Sequence, residues 1–239
     1  MSGIDTSWLD SHEIGEPSIL YFGTPVVLIS TANGDGSYNL APISSAFWLG
    51  WRCVIGIAAT SKTTDNLKRT RECVLNLPSS AQAGTVNRLA LTTGTDPVPD
   101  GKKARGYRHE SRKFEIAGLT PVPSDTVDPP RAEQCPVHLE AVVASHHNLG
   151  EDDPRVRGRT VVFELRIQRV HLAREILLDG DPDYVDPDKW RPLIMSFQKF
   201  YGLADGQLHT STLARVPERL YRSPDVDRAR LVPAYERAG

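Results

Sequence analysis

The segment 25–78 constrains the fold of this chain most, because short apolar runs alternate there with strong turn signals. The run 25–31 is continuously apolar, and the tetrapeptide Asn33-Gly34-Asp35-Gly36 follows it directly. Asn-Gly and Asp-Gly between apolar runs are typical of β-hairpin turns. The segment therefore predicts strands at 25–31, 37–49, 53–59 and 73–77, with a helix that begins near Ser61 between the last two.

The rest of the chain adds strands and few helices. Strands are predicted at 138–144 and at 160–169, where apolar and polar residues alternate. Apolar spacing predicts a short helix at 86–90. The proline-rich, basic stretch 92–136 is long for a loop, so we expect it to cover a site or a subunit interface and to contain a short helix at 112–116. From 176 onward we expect loops and short helices, including one across 190–201.

These patterns together predict an all-β fold with minor helices. Many antiparallel strands with few crossover helices favour a closed barrel. The length allows one large β domain or two small ones. We predict a single domain at 1–239, with a barrel core at about 18–175 and a C-terminal helical and loop extension at 176–239.

Composition excludes several function classes. The net charge of −2 and the pI near 6.4 give no electrostatic reason to expect nucleic acid. No apolar run is long enough to span a bilayer, and the first 18 residues do not resemble a secretory signal. An odd number of widely spaced cysteines predicts reduced thiols in the cytoplasm. Because His146 and His147 have no carboxylate at ligand spacing, we expect no metal.

Two short segments carry the candidate chemistry. In 39–46, amide, hydroxyl and methyl side chains stand where a buried strand would have bulky ones, so a flat ring could lie against this strand. The helix that opens at 61–66 could hold a phosphate, because a helix start gathers unpaired N–H groups and partial positive charge. Together they would form one flavin mononucleotide (FMN) site.

Each segment also has an ordinary structural interpretation. Ser44 and Ser45 could lie on a solvent-facing sheet surface, and Ser61 could simply cap its helix. Lys62 is the discriminating residue, since a cation at a helix start opposes the helix dipole unless an anion binds there. Alternatively, Lys62 points to solvent.

The order and spacing of several motifs resemble the flavin reductase-like, FMN-binding split-barrel family. The matching residues are 24–31, 39–46, 61–67, 72–78, 113–120 and 170–180, so the resemblance covers roughly residues 20–200. The sequence departs from the family in two places: the insert 92–136 is long and basic, and the tail beyond Tyr201 has no counterpart that we recognise.

The resemblance implies a six-stranded antiparallel split barrel, a homodimer and FMN near the subunit interface. It also implies NADH or NADPH as co-substrate and a possible partner monooxygenase. The residues implied to contact FMN are Asn39, Ala41, Pro42, Ser44 and Ser45 along the isoalloxazine, Ala58 and Ala59 at the ring edge, and Ser61, Lys62, Thr64 and Asn66 at the ribityl phosphate.

The primary hypothesis is therefore NAD(P)H-dependent flavin reduction by hydride transfer to flavin N5. The cofactor would carry the chemistry, so no catalytic acid or base is assigned. Two alternatives stay open: an FMN-binding electron carrier without reductase activity, and a flavoenzyme that acts on a dedicated small organic substrate enclosed by the tail.

Overall fold

The computed structural model describes residues 12–236. The predicted domain of 1–239 thus extends beyond the described residues at both ends. The strands are β1 (Phe22–Pro25), β2 (Val27–Ala32), β3 (Tyr38–Ile43), β4 (Ala46–Leu49), β5 (Arg52–Ala58), β6 (Glu72–Leu77), β7 (Thr92–Thr93), β8 (Arg108–His109), β9 (Pro121–Val122), β10 (Arg131–Ala132), β11 (Val137–Asn148), β12 (Thr160–Leu172), β13 (Ile194–Ser196) and β14 (Lys199–Tyr201). The helices are α1 (Lys62–Thr70), α2 (Ala83–Arg88), α3 (Asp100–Lys103), α4 (Lys113–Ala117) and α5 (Pro224–Arg230).

The main sheet is antiparallel and has seven strands in the order β3-β2-β6-β11-β12-β5-β4. The prediction of a mostly β fold with few helices is confirmed. The prediction of six strands is not confirmed, because the main sheet has seven. The reason is local: the strand predicted at 37–49 breaks at Ser44 and Ser45 into β3 and β4, which form opposite edges of the sheet.

The sheet curls on itself at this break. Its two edge strands are consecutive in sequence, and the Gly56 N–H of β5 donates to the carbonyl of Ser45 at 3.0 Å. The sheet is not a closed barrel, because its edge strands β3 and β4 share no ladder. Pro42 suits the edge position of β3, since proline cannot donate to a ladder.

Two apolar clusters cover the two faces of β2. Val27 and Ile29 belong to the cluster inside the curl, where Leu67 of α1 also packs. Leu28 points to the other face and joins Leu40 and Phe114 in a second cluster beneath α2 and α4. Both faces of β2 are thus buried, which explains why the strand begins with the apolar run Val27-Leu28-Ile29.

The insert is built from short elements rather than from one long loop. The helix predicted at 112–116 is observed as α4, and the helix predicted at 86–90 corresponds to α2. The prediction of a helix across 190–201 is wrong, because β13 and β14 form a hairpin there. Its turn residues Phe197 and Gln198 both have positive φ, at 44° and 65°. Hairpin turns of this kind normally carry asparagine or glycine, so the sequence gives no turn signal.

A buried polar network holds the end of the insert to the sheet. The Glu140 carboxylate of β11 is fully buried and accepts from the N–H groups of Asp125 and Thr126 at 2.9 and 2.6 Å. It also accepts from the Thr126 hydroxyl at 2.6 Å and lies 2.8 Å from His171 Nε2. Burial alone would raise the pKa of Glu140, but these hydrogen bonds, led by that from His171, lower it to about 2.

The C-terminal helix α5 docks on the sheet through charge. Arg52 of β5 donates to both carboxylate oxygens of Asp225 at 2.8 and 3.0 Å, and to Glu164 of β12 at 2.5 Å. Beside α5 lies an apolar cleft of about 690 Å³, whose walls include Trp48, Trp51 and Trp190. Part of the predicted extension thus packs against the predicted core.

The three cysteines are free and buried, as expected for reduced core thiols. Burial raises the pKa of Cys53 and of Cys135 to about 12, so both stay protonated near neutral pH. Among the described residues, no helix combines the length and apolarity needed to cross a bilayer.

Candidate functional site

Helix α1 begins at the predicted turn because the side chains there satisfy its first N–H groups. Ser61 is the N-cap, and its hydroxyl accepts from the Thr64 N–H at 3.1 Å. The Thr64 hydroxyl lies 2.9 Å from that of Ser61 and donates to the Ala58 carbonyl at 2.8 Å. The two hydroxyls therefore shape the turn between β5 and α1. The N–H groups of Lys62 and Thr63 have no acceptor within the helix.

Lys62 and Asn39 line one polar cleft of about 310 Å³ beside this helix start. Asn39 is 3% exposed, and its amide donates to the Thr63 hydroxyl at 3.1 Å. Strand β3 and helix α1 thus bring together two predicted residues that are 23 positions apart. The walls of the cleft are Asn33, Gly34, Asp35, Ser37, Asn39, Lys62, Gly94, Asp96, His109, Glu110 and Ser111.

Asn66 supports the cleft from behind. Its side chain is 1% exposed and donates to the Thr31 hydroxyl at 3.0 Å and to Asn33 Oδ1 at 2.8 Å. These bonds tie the β2–β3 turn to α1, and Asn33 itself lines the cleft. The predicted contact of Asn66 with a phosphate stays a prediction.

The predicted ring-lining residues divide between the two faces of β3. Ala41 pairs with Ile29, whose side chain faces the inside of the curl, whereas Pro42 pairs with Leu28, which faces the second cluster. A flat ring on one face of β3 can therefore contact the side chain of Ala41 or that of Pro42, but not both.

Four more predicted residues surround the junction of β3, β5 and α1. Ser44 and Ser45 form the connection from β3 to β4, where the Ser45 carbonyl holds Gly56 of β5. Ala58 is exposed at the end of β5, and Ala59 is half-buried. This junction presents small side chains on three adjoining segments.

The insert supplies a wall of the cleft through residues that the sequence analysis did not single out. A Cβ at Gly94 would lie 2.6 Å from Asn39 Oδ1 and 3.2 Å from the Lys62 side chain, so only glycine allows this approach. Next to it, the Thr95 hydroxyl donates to the Thr60 carbonyl at 3.2 Å. The expectation that the insert covers a site agrees with this placement, and a glycine between two threonines was the available signal.

Basic residues of the insert lie close to the same cleft. Lys102 donates to the Thr93 hydroxyl at 3.0 Å, next to Gly94. Burial and then the charge of Arg105 lower the pKa of Lys102. The guanidinium carbon of Arg105 lies 5.6 Å from the ring centre of Tyr107, and Arg105 and Arg108 are both exposed. These cations lie beside a cleft whose own walls carry Lys62 and the three carboxylates of Asp35, Asp96 and Glu110.

A second polar cluster has metal-ligand spacing, although its contacts suit a structural role. Asp125, Glu140 and His171 bring their ligand atoms within 4.8 Å of one another. However, Arg131 approaches His171 Nδ1 at 3.1 Å and Glu140 at 3.9 Å, so a cation already stands beside the carboxylate. The prediction of no metal remains untested.

The comparisons with known proteins agree with this fold. A family model described as "Flavin reductase like domain" matches residues 19–204. The chain therefore belongs to the flavin reductase-like family. It is 37% identical over 188 residues to the uncharacterized protein YdfE of Bacillus subtilis (strain 168), covering 79% of this chain and 87% of YdfE.

Solved structures of similar fold are more distant in sequence. Flavoredoxin of Desulfovibrio vulgaris (Miyazaki F) superposes with a TM-score of 0.65 at 19% identity, covering 85% of this chain and 99% of that chain. Nitrilotriacetate monooxygenase component B from Bacillus cereus gives 0.62 at 18% identity, covering 80% and 88%. At these identities the likeness shows the fold alone.

The residues present fit a flavin. Lys62 and two N–H groups without helix acceptors offer charge and donors to a phosphate at the start of α1. Ala41, Ser45 and Ala58 have small side chains at the adjoining junction, as a planar ring requires, although none of them lines the polar cleft. The neighbouring insert, with Gly94 against Asn39 and Lys62, limits the access of water from one side.

Proposed function

We propose that this protein binds FMN at the β3–β5–α1 junction and catalyses its reduction by NADH or NADPH. The observation that carries the proposal is the polar cleft shared by Lys62 and Asn39 at the start of α1. A lysine there opposes the helix dipole, and a bound phosphate would turn that conflict into a favourable interaction.

The residues of the chain bind and orient the cofactor in this proposal. Lys62 holds the phosphate, while Ser61 and Thr64 fix the turn whose N–H groups contact it. Ala41, Ser44 and Ser45 lie against the ring, with Ala58 and Ala59 at its edge. The flavin, when bound, supplies the hydride acceptor at N5. The protein supplies placement and positive potential, so no side chain is assigned as a catalytic acid or base.

Arg105 and Arg108 are proposed to meet the phosphates of the pyridine nucleotide. Both are exposed and lie on the basic part of the insert, next to residues that wall the cleft. Exposed guanidinium groups are well suited to phosphate, because they donate in a planar, bidentate geometry.

We further propose a cytoplasmic homodimer that can deliver reduced flavin to a monooxygenase. The monooxygenase partner is supported by the fold similarity to a component B of nitrilotriacetate monooxygenase. The homodimer and the FMN near its interface rest on family resemblance, and the cytoplasmic location rests on the three reduced cysteines.

Titration of the purified protein with FMN, followed by flavin fluorescence, tests the site. Lys62→Met should weaken FMN binding by about tenfold, the loss expected for one charge-assisted contact. Lys68→Met is the matched control, because Lys68 is an exposed lysine of the same helix. A wild-type protein that neither binds FMN nor oxidises NADH or NADPH in its presence would refute the proposal.

An electron carrier is the second candidate, since a flavoredoxin shares the fold. The two functions differ in turnover. A carrier would bind FMN and exchange electrons with a redox partner, but it would not oxidise NADH or NADPH at a steady rate with excess FMN.

A further inference from the structure

Lys113, at the start of α4, is a buried cation that the proposed site does not yet use. It is 2% exposed, and its Nζ has one hydrogen bond, a long one of 3.5 Å to the Leu40 carbonyl. Within residues 12–236, no carboxylate oxygen lies within 4.0 Å of it. A buried charge without a paired anion costs stability, so such groups seldom persist without a second role.

The charges around Lys113 make its position less favourable still. Burial and then the charge of Lys102 lower its pKa to about 8, and Arg108 acts in the same direction. Among residues 12–236, Glu110 is the anion whose charge favours the ammonium, and it already accepts from the Arg112 N–H at 2.8 Å. Arg88 lies at the other end of α4, bound to the Ala117 carbonyl. Cations thus outnumber anions around this group.

Lys113 stands directly behind the polar cleft. Its acceptor, Leu40, follows Asn39, which lines the cleft. Glu110 and Ser111, three and two residues before Lys113, line the cleft from the other side. The ammonium is therefore buried against the segments that wall the cleft, where water screens its charge less than at the surface.

We propose that Lys113 is a positioning residue whose buried charge attracts the phosphate of the flavin into this cleft. This inference rests on the proposed function and deepens it, because part of the affinity for FMN would come from a residue that does not line the cleft. The ligand phosphate would act as a further counter-anion, beside Glu110, for the Lys102, Arg108 and Lys113 cluster. Lys62 would contact the phosphate, whereas Lys113 would act through the strand wall.

FMN and riboflavin form the decisive pair of probes, because riboflavin has the same ring and no phosphate. With Lys113→Met we expect FMN to bind about tenfold more weakly and riboflavin to bind as in the wild type. Lys113→Arg keeps the charge and should restore most of the FMN affinity. Lys103→Met, at an exposed lysine of α3, removes the same formal charge and should change neither dissociation constant.

Proton linkage gives a readout that a packing defect would not produce. Binding of the phosphate raises the pKa of Lys113, so FMN affinity in the wild type should fall as pH rises through about 8. The FMN phosphate is already a dianion there, because its second pKa is about 6. In Lys113→Met this fall should be absent.

The outcomes separate cleanly. Equal weakening of FMN and riboflavin, or no weakening of either, would overturn the role of Lys113 while leaving the flavin site intact. A wild type that binds neither probe would instead refute the proposed function. Thermal unfolding shows that the variant is folded, and methionine of similar size should leave the melting temperature unchanged or higher.

Discussion

Glu140→Gln tests how the insert is held against the sheet. The glutamine keeps the size of the side chain but loses the charge and one of the two acceptor oxygens. The N–H groups of Asp125 and Thr126, the Thr126 hydroxyl and His171 Nε2 all converge on this carboxylate. The amide would leave at least one of these buried donors without an acceptor.

Two independent arguments give the same loss of unfolding free energy for Glu140→Gln. The hydrogen bonds that Glu140 accepts lower its pKa from 4.5 to about 2, and a shift of this size corresponds to about 3 kcal/mol of stability. Removal of one partner from a buried, charged network costs about 3–5 kcal/mol in other proteins. We therefore expect Glu140→Gln to lower the free energy of unfolding by about 3 kcal/mol, or the melting temperature by roughly 6–12 °C.

Urea denaturation followed by circular dichroism measures this change, and its pH dependence provides a second check. Because the folded-state pKa lies below the unfolded one, the contribution of Glu140 is fully present above pH 4.5 and is lost as pH falls towards 2. The gap between wild type and variant should close over that window. Glu133→Gln, at an exposed carboxylate of the same insert, is the control and should stay within about 0.5 kcal/mol. A similarly small effect of Glu140→Gln at pH 7 would refute the reasoning.

Three further predictions concern the site. Gly94→Ala should displace Asn39, because the new Cβ would lie 2.6 Å from its Oδ1, and FMN titration should therefore show weaker binding. Gly101→Ala is the control: its Cβ would have nothing within 4 Å, so FMN binding should not change. Replacement of Arg105 and Arg108 by alanine should raise the KM for NADH or NADPH in steady-state assays, and an unchanged KM would remove their assigned role. Deletion of residues 202–239 removes the tail and with it the Arg52–Asp225 contact. Asp225→Asn loses that contact but keeps the tail, so it is the control. If the protein is a simple reductase, the two variants should oxidise NADH at rates within about twofold of each other. A loss beyond about tenfold would favour a substrate enclosed by the tail.

The sequence by itself determined the elements whose signals are local. The Asn33–Gly36 turn, the helix after Ser61 and the alternating strand of 160–169 were predicted and are observed. Each depends on the backbone preferences and side-chain bonding of neighbouring residues, which a short window of sequence records. The family motifs are also short runs of neighbouring residues, and the family assignment that rests on them is confirmed.

The tertiary structure decided which remote residues meet. The break at Ser44 and Ser45 turns one predicted strand into two opposite sheet edges, and the β13–β14 hairpin turns through residues that carry no turn signal. Likewise, Gly94 and Lys113 became site candidates only when folding set them against β3. Strand pairing, close approach and the burial of a charge depend on contacts between segments far apart in the chain, and no local pattern encodes those contacts.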